Sequence, residues 1–372
     1  MRSSSGEYYA GLDHIRAIAI FMVFSWHFTH AVPLPLGHAP SVFVFSLFNQ
    51  GHTGVALFMT LSGYLFAKLL DGKRIRYLAF IWNRFLRLAP LLGLVILIIG
   101  YAKYRAGGDL FTYAKIILAG AVKPALPNGG WSITAEFYFY LLLPFLLWVS
   151  RKSNFSLIAI ICAVVLARFV LHQKLGQIQE LAFWTIVGRA DQFLFGIIAC
   201  QFRNYITGRH FLVLSILTAF SLFYWYFDTQ GGFYNNPSYP SSSIVWVFMP
   251  TIEGLAYALG IAWYDNSFLH SNNRASKFIA QIGAYSYSIY LLHFFVVFGL
   301  ARIINEKLIH LSNFYVALLF SALCLLLMMP IGYVSFRFIE SPFLRLRTRY
   351  IVMEEQRENE FSPVSSKDCQ HL

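Results

Sequence analysis

This chain is short of charge, of cysteine and of nucleotide-cradling glycine patterns, and each shortage removes a class of function. Only 12% of its 372 residues are Asp, Glu, Lys or Arg, about half the share usual in a water-soluble domain. Its four cysteines (Cys162, Cys200, Cys324 and Cys369) form no Cys-x-x-Cys pair, so neither a disulfide framework nor a thiolate metal site is expected. No His/Cys spacing fits a zinc motif, and no Walker loop or Rossmann fingerprint occurs. ATP-driven pumping and hydride transfer are therefore disfavoured, and no bound metal or cofactor is expected. What fills the chain instead is apolar: 58% hydrophobic residues, 18% aromatic, and a mean hydropathy of +0.57.

Apolar runs of about 20 residues can cross a bilayer. Ten are legible here, at roughly 12–31, 43–69, 79–101, 132–150, 155–172, 181–201, 211–228, 244–264, 281–304 and 313–338. The expected fold is an all-α polytopic integral membrane protein of about ten transmembrane helices. With the N-terminus inside, 19 of the 29 Lys and Arg fall on the inner side, seven on the outer side, and three (Arg16, Arg168, Arg189) within helices. That asymmetry predicts both termini in the cytoplasm and explains most of the net charge of +12 as topology rather than nucleic-acid binding. Asp13, His14 and Arg16 interrupt the first run, which argues against a cleaved signal peptide. A membrane domain over 1–345 and a polar, disordered cytoplasmic tail over 346–372 are expected. Two outer connections stand out. The 102–131 segment has a half-apolar stretch that could dip into the membrane, and 229–243 is rich in turn residues.

Charged groups inside an apolar helix are expensive, so the opening run LDHIRAIAIFMVFSWHFTH holds the sharpest signal. Eleven residues separate Arg16 from His27. At about 100° per residue they return to nearly the same face, displaced by roughly 16 Å along the axis. One face thus carries a cation near its start and a titratable base at depth.

Other motifs follow in order: GHTGVALFMTLSGYL (51–65), NRFLRLAP (83–90), WSITAEFYFYLLLP (131–144), RADQFLFG (189–196), IGAYSYSIYLLH (282–293) and FIESP (338–342). With the Arg-x10-His opening, this ordered set resembles the membrane acyltransferase-3 family over nearly the whole chain. His14 departs from the family's usual Gly or apolar residue, and Met59-Thr60 from its more common aromatic or apolar pair. The resemblance implies a bacterial inner-membrane enzyme that moves an acyl group, often acetyl, from cytoplasmic acyl-CoA to a hydroxyl acceptor. That acceptor would be an extracytoplasmic or lipid-linked glycan, a lipid or a small molecule.

The residue chemistry suits that implication. Arg84 and Arg87 share a helix face at i, i+3, and their planar guanidinium forks suit the phosphates of the donor. The donor's pantetheine arm would run along the Arg16 face to His27, where a neutral imidazole can take the acceptor hydroxyl's proton. Covalent passage through an acyl-histidine is the less favoured variant. Glu136, about one turn into its helix, is expected to orient His27 through the other ring nitrogen, or else to pair with Arg189 or Arg168. Ser62, Tyr64, Trp131, Ser132, Arg189, Tyr290 and His293 complete the candidate substrate-binding set. Glu340 is expected to pair with Arg337. A rival reading is a transporter or flippase in which Arg16, His27, Glu136 and Arg189 form one pathway.

Overall fold

The computed structural model describes residues 9–31, 39–120, 122, 125–271 and 273–352, and these are predominantly helical. The first apolar run forms α1 (Ala10–Thr29). The second is broken: 3-10 turns at Phe43–Phe45 and Gly51–Thr53, with a helical turn at Ser46–Asn49 between them, precede α2 (Gly54–Leu69). Glycine permits this. A Cβ on Gly51 would strike the Met22 carbonyl and one on Gly54 the Ala19 carbonyl, so the broken segment can lie directly on α1.

Next come α3 (Tyr77–Arg105), the short α4 (Leu110–Ala119), α5 (Gly130–Lys152) and α6 (Asn154–Leu175). Thr185 divides the next run into α7 (Gln179–Trp184) and α8 (Ile186–Gln201), capping the latter through its hydroxyl. The helices α9 (His210–Thr229) and α10 (Val245–Ser267) are continuous. The 281–304 run becomes the end of α11 (Arg274–Ala284), α12 (Ser286–Leu292), a 3-10 turn at His293–Phe295, and α13 (Val297–Lys307). The chain bends by 58° before α13. The last run is α14 (Phe314–Ser335), continued by a π turn at Phe336–Glu340.

The chain is an all-α polytopic membrane protein. Among the described residues, six helices (α3, α5, α6, α9, α10 and α14) are long and apolar enough to span alone, and the bent α12–α13 pair makes a seventh. The expected ten also counted α1, α2 and α8. The first carries Asp13, His14 and Arg16 in its opening turns, and the other two have only 16 residues each.

Close backbone approach holds the bundle together, as it does where lipid removes the hydrophobic drive between helices. A Cβ on Gly63 of α2 would strike the Phe193 carbonyl of α8, and one on Gly196 of α8 the Thr60 carbonyl of α2. Gly283 likewise seats α11 on the Asp13 carbonyl of α1. His14, the departure from the family pattern, bonds the Tyr264 hydroxyl at 2.9 Å and the Ser276 carbonyl at 3.0 Å, so it ties α1 to α10 and α11. Cys162, Cys200 and Cys324 are free thiols, while Cys369 lies outside the described residues.

The packed chain extends past the expected boundary at 345. Tyr350 is buried, Asn83 and Thr348 exchange two hydrogen bonds, and β2 (Ile351–Val352) pairs antiparallel with β1 (Arg74–Ile75). Residues 346–352 are therefore part of the folded domain rather than of a disordered tail. The remainder of the expected tail, 353–372, lies outside the described residues.

Candidate active site

Two cavities sit at opposite ends of α1. The first collects Asp13 and Arg16 of α1, Ser62 of α2, Arg84 and Arg87 of α3, Ser132, Glu136 and Tyr140 of α5, and Arg347 from the segment after α14. It is a basic cavity with four guanidinium groups. Two are neutralised: Arg16 Nη1 lies 2.5 Å from Asp13, and Arg87 Nη1 lies 2.6 Å from Glu340. Glu340 also accepts from Ser288, so its cation is Arg87 and not Arg337 as the sequence suggested. Arg84 and Arg347 have no carboxylate partner among the described residues, and the Nε of each is buried without a hydrogen bond. The Arg84 guanidinium rests over the Phe66 ring at 5.0 Å and Phe80 at 5.6 Å. Burial, and then the charges of Arg84 and Arg87, push the Arg347 guanidinium down to about 10. The cavity thus holds more positive charge than its own carboxylates neutralise, which suits a polyanion.

Glu136 belongs to this cavity. One of its carboxylate oxygens accepts from Ser62 Oγ at 2.9 Å and from the Tyr140 hydroxyl, and no bond joins Glu136 to His27, Arg189 or Arg168. The expected histidine–carboxylate pair is not formed. Ser62 and Tyr140 instead supply the donors that a carboxylate at this depth requires.

The second cavity, of about 480 Å³, is aromatic. Trp26 and His27 of α1 and His30 just past its end face Trp131, Phe183, Trp184, Phe294 and Phe298, and the 229–243 connection covers them with Phe233, Tyr234 and Tyr239. None of its described lining residues is Asp, Glu, Lys or Arg. Buried amides pin the cover. Gln50 accepts from Phe233 N at 3.0 Å while donating to Asp228 at 2.7 Å, and Gln179 donates to the Phe233 carbonyl at 2.8 Å while accepting from Ser241 N at 2.5 Å. The aromatic wall is consequently preorganised.

His27 has a defined tautomer by hydrogen-bond logic. Its Nδ1 lies 2.8 Å from the Val23 carbonyl, an obligate acceptor, so Nδ1 carries the proton. His293 Nδ1 lies 2.7 Å from the Tyr290 carbonyl, which leaves His293 Nε2 bare and able to accept from His27 Nδ1 at 3.3 Å. His27 Nε2 is then an unprotonated lone pair on the wall of the aromatic cavity. The group behind the histidine is a second histidine, in the place where sequence reasoning set Glu136.

Tyr290 and Val55 line both cavities. The Tyr290 hydroxyl accepts from Ser132 Oγ at 2.9 Å and donates to the Gly129 carbonyl at 3.2 Å. Gly129 is in the left-handed region (φ 75°), and a Cβ there would press on the Tyr290 ring, so glycine is needed on both counts.

Of the remaining candidates, Trp131 lines the aromatic cavity and Ser132 the basic one, while His293 is fully buried behind His27. Tyr64 and Arg189 line neither. The Tyr64 hydroxyl donates to Asp265 at 2.6 Å and accepts from Asn266 at 2.8 Å. Arg189 donates to the Phe183 carbonyl at 2.7 Å and Gln192 at 3.2 Å, 3.6 Å from Glu253, beneath Phe183. Tyr64 thus ties α2 to α10 and Arg189 ties α8 to α10, both drawn inward because a lone polar group facing lipid costs more. The chain of Arg16, His27, Glu136 and Arg189 required for a transport pathway is therefore not contiguous. Sequence reasoning missed Tyr140 and Arg347 of the basic cavity and His52, which lines the aromatic one. Tyr140 stands one turn after Glu136 and His52 inside a quoted motif, so both were within reach; Arg347 had no signal beyond its charge.

The polytopic bundle thus carries an arginine-rich cavity at one end of α1 and an aromatic cavity lined by His27 at the other. The family described as an acyltransferase domain, acyltransferase-3, matches residues 9–334. The chain belongs to that family and is a membrane acyltransferase. Comparison with curated proteins and with solved structures gives no match.

Proposed function

We propose that the protein is an acyl-CoA-dependent O-acyltransferase of a bacterial inner membrane, with the basic cavity cytoplasmic. It would carry an acyl group, acetyl in the simplest case, to the hydroxyl of an extracytoplasmic or lipid-linked glycan or a related small acceptor. The observation that carries this reading is that the arginine-lined cavity and the cavity lined by His27 adjoin at two shared residues, Tyr290 and Val55.

The donor's phosphates would sit among Arg84, Arg87 and Arg347, and its arm would follow the Arg16 face of α1 to bring the thioester to those two residues. The acceptor would occupy the aromatic cavity. His27 Nε2 takes the acceptor's hydroxyl proton as the oxygen attacks the thioester carbonyl. The tetrahedral intermediate then collapses, the C–S bond breaks, and the leaving thiolate takes the proton from Nε2. During the step the imidazolium is held by its Nδ1–H bonds to Val23 and His293. Ser62 and Tyr140 keep Glu136 fixed along the donor path.

Binding and turnover of radiolabelled acetyl-CoA by detergent-purified protein test the reading. Wild type should bind saturably and release or transfer label. His27→Ala should bind without release, and Arg87→Ala should bind more weakly. Full activity of His27→Ala, or no binding of acetyl-CoA or longer acyl-CoAs to wild type, would overturn it.

A further inference from the structure

The two cavities share only two described lining residues, Tyr290 and Val55, so these side chains stand where the cavities adjoin. The Tyr290 ring is not loose. Its hydroxyl is tied at 2.9 Å to Ser132 and at 3.2 Å to the Gly129 carbonyl, and it meets the Phe58 ring edge-on, with ring centres 6.3 Å apart and planes at 77°. The residue also sits on the seven-residue α12, immediately before the 3-10 turn that carries His293 and the 58° bend. An acyl chain that approaches from the basic cavity therefore meets a pinned aromatic ring before it reaches the space beside His27.

We infer that Tyr290, together with Val55, gauges acyl-chain length by limiting how much of the donor's acyl group can pass into the aromatic cavity. The inference rests on the donor and base assignments proposed above. The basic cavity leads a thioester to these two residues, which admit a short acyl group while a longer one stops against the ring. Beyond them lie about 480 Å³ of apolar space, which methylene groups cannot exploit while the ring is in place. Truncating Tyr290 to alanine joins the two spaces. Each added methylene then finds apolar surface, and the affinity gain for burying one is roughly threefold to fourfold. Ser132 is a positioning residue in this scheme, since it holds the ring through the hydroxyl alone.

Equilibrium binding of acetyl-, butyryl-, hexanoyl- and octanoyl-CoA to the purified full-length protein decides the matter without an identified acceptor. Wild type should show flat or falling affinity beyond the shortest chains. Tyr290→Ala should show affinity rising with length, by at least tenfold from acetyl to hexanoyl. Val55→Ala trims the other shared lining residue and should shift the profile in the same direction, so it stands in if Tyr290→Ala fails to fold. Tyr290→Phe keeps the ring but loses the hydroxyl's ties to Ser132 and Gly129, and should shift the profile in the same direction as Tyr290→Ala but less. Acetyl-CoA binding with the same length dependence in wild type, Tyr290→Ala and Val55→Ala would overturn the gauge alone. Absence of any acyl-CoA binding to wild type would overturn the proposed function and the gauge with it.

Discussion

Replacing His293 by leucine separates a base held by histidine from one held by carboxylate. His293 Nε2 accepts from His27 Nδ1 at 3.3 Å, and that bond strengthens when His27 becomes an imidazolium. Hydrogen bonds to a charged group contribute about 1.5–3 kcal/mol. At 3.3 Å the bond is longer than the usual 2.9–3.0 Å, so the lower end applies. About 1.5 kcal/mol is roughly a tenfold loss, because 1.36 kcal/mol changes a rate by ten. The Val23 carbonyl remains, so Nδ1 keeps its proton and the variant should be slow rather than dead. His293→Gln retains an acceptor and should recover most of the loss. The assay is release of CoA thiol from acetyl-CoA, with kcat and KM measured separately. The loss should appear in kcat, because the donor cavity does not include His293. The reasoning fails if His293→Leu turns over within twofold of wild type, or if His293→Gln is as slow as His293→Leu.

Burial and the neighbouring arginines hold Arg347 at about 10, below its ordinary 12.5, so the folded state disfavours its proton and that cost is present below pH 10 and fades as pH rises through it. Arg347→Gln should therefore raise the apparent melting temperature of ligand-free protein at pH 7.5, by about 1 °C, and shrink the stabilisation given by CoA. Thermal scans with and without CoA, at low and high salt, check both signs. Asp191→Leu strands Arg168, whose Nη2 lies 2.6 Å from Asp191 with both side chains fully buried. It should cost about 3–5 kcal/mol, seen as lost monodisperse protein on size exclusion, and adding Arg168→Leu should recover part of that. Gly63→Ala drives a methyl into the Phe193 carbonyl and should cost about 1–3 kcal/mol, whereas Gly93→Ala meets nothing within 4 Å and should be neutral or better by thermal scan. Arg189→Gln should lower stability while leaving acetyl-CoA affinity within twofold of wild type, since its guanidinium is bound to Phe183 and Gln192.

The sequence by itself determined the class of protein, because the free energy of apolar surface in lipid depends on composition and run length and not on topology. It also placed Arg16 and His27 on one helix face, since the α-helical period is a local property. The ordered motifs carried the family. Tertiary structure alone decided which polar groups meet. Glu136 and His27 each need a partner; helical phase already sets Tyr140 one turn from Glu136, but the packing of α2 on α5 gave Ser62 to the carboxylate, and the turn after α12 gave His293 to the imidazole. In the same way Glu340 lies beside Arg337 in the chain but meets Arg87 in space. The division of the interior into two cavities meeting at Tyr290 exists only once helices distant in sequence are assembled. Ion pairs and cavities depend on long-range geometry, whereas hydropathy and helical phase are properties of neighbouring residues.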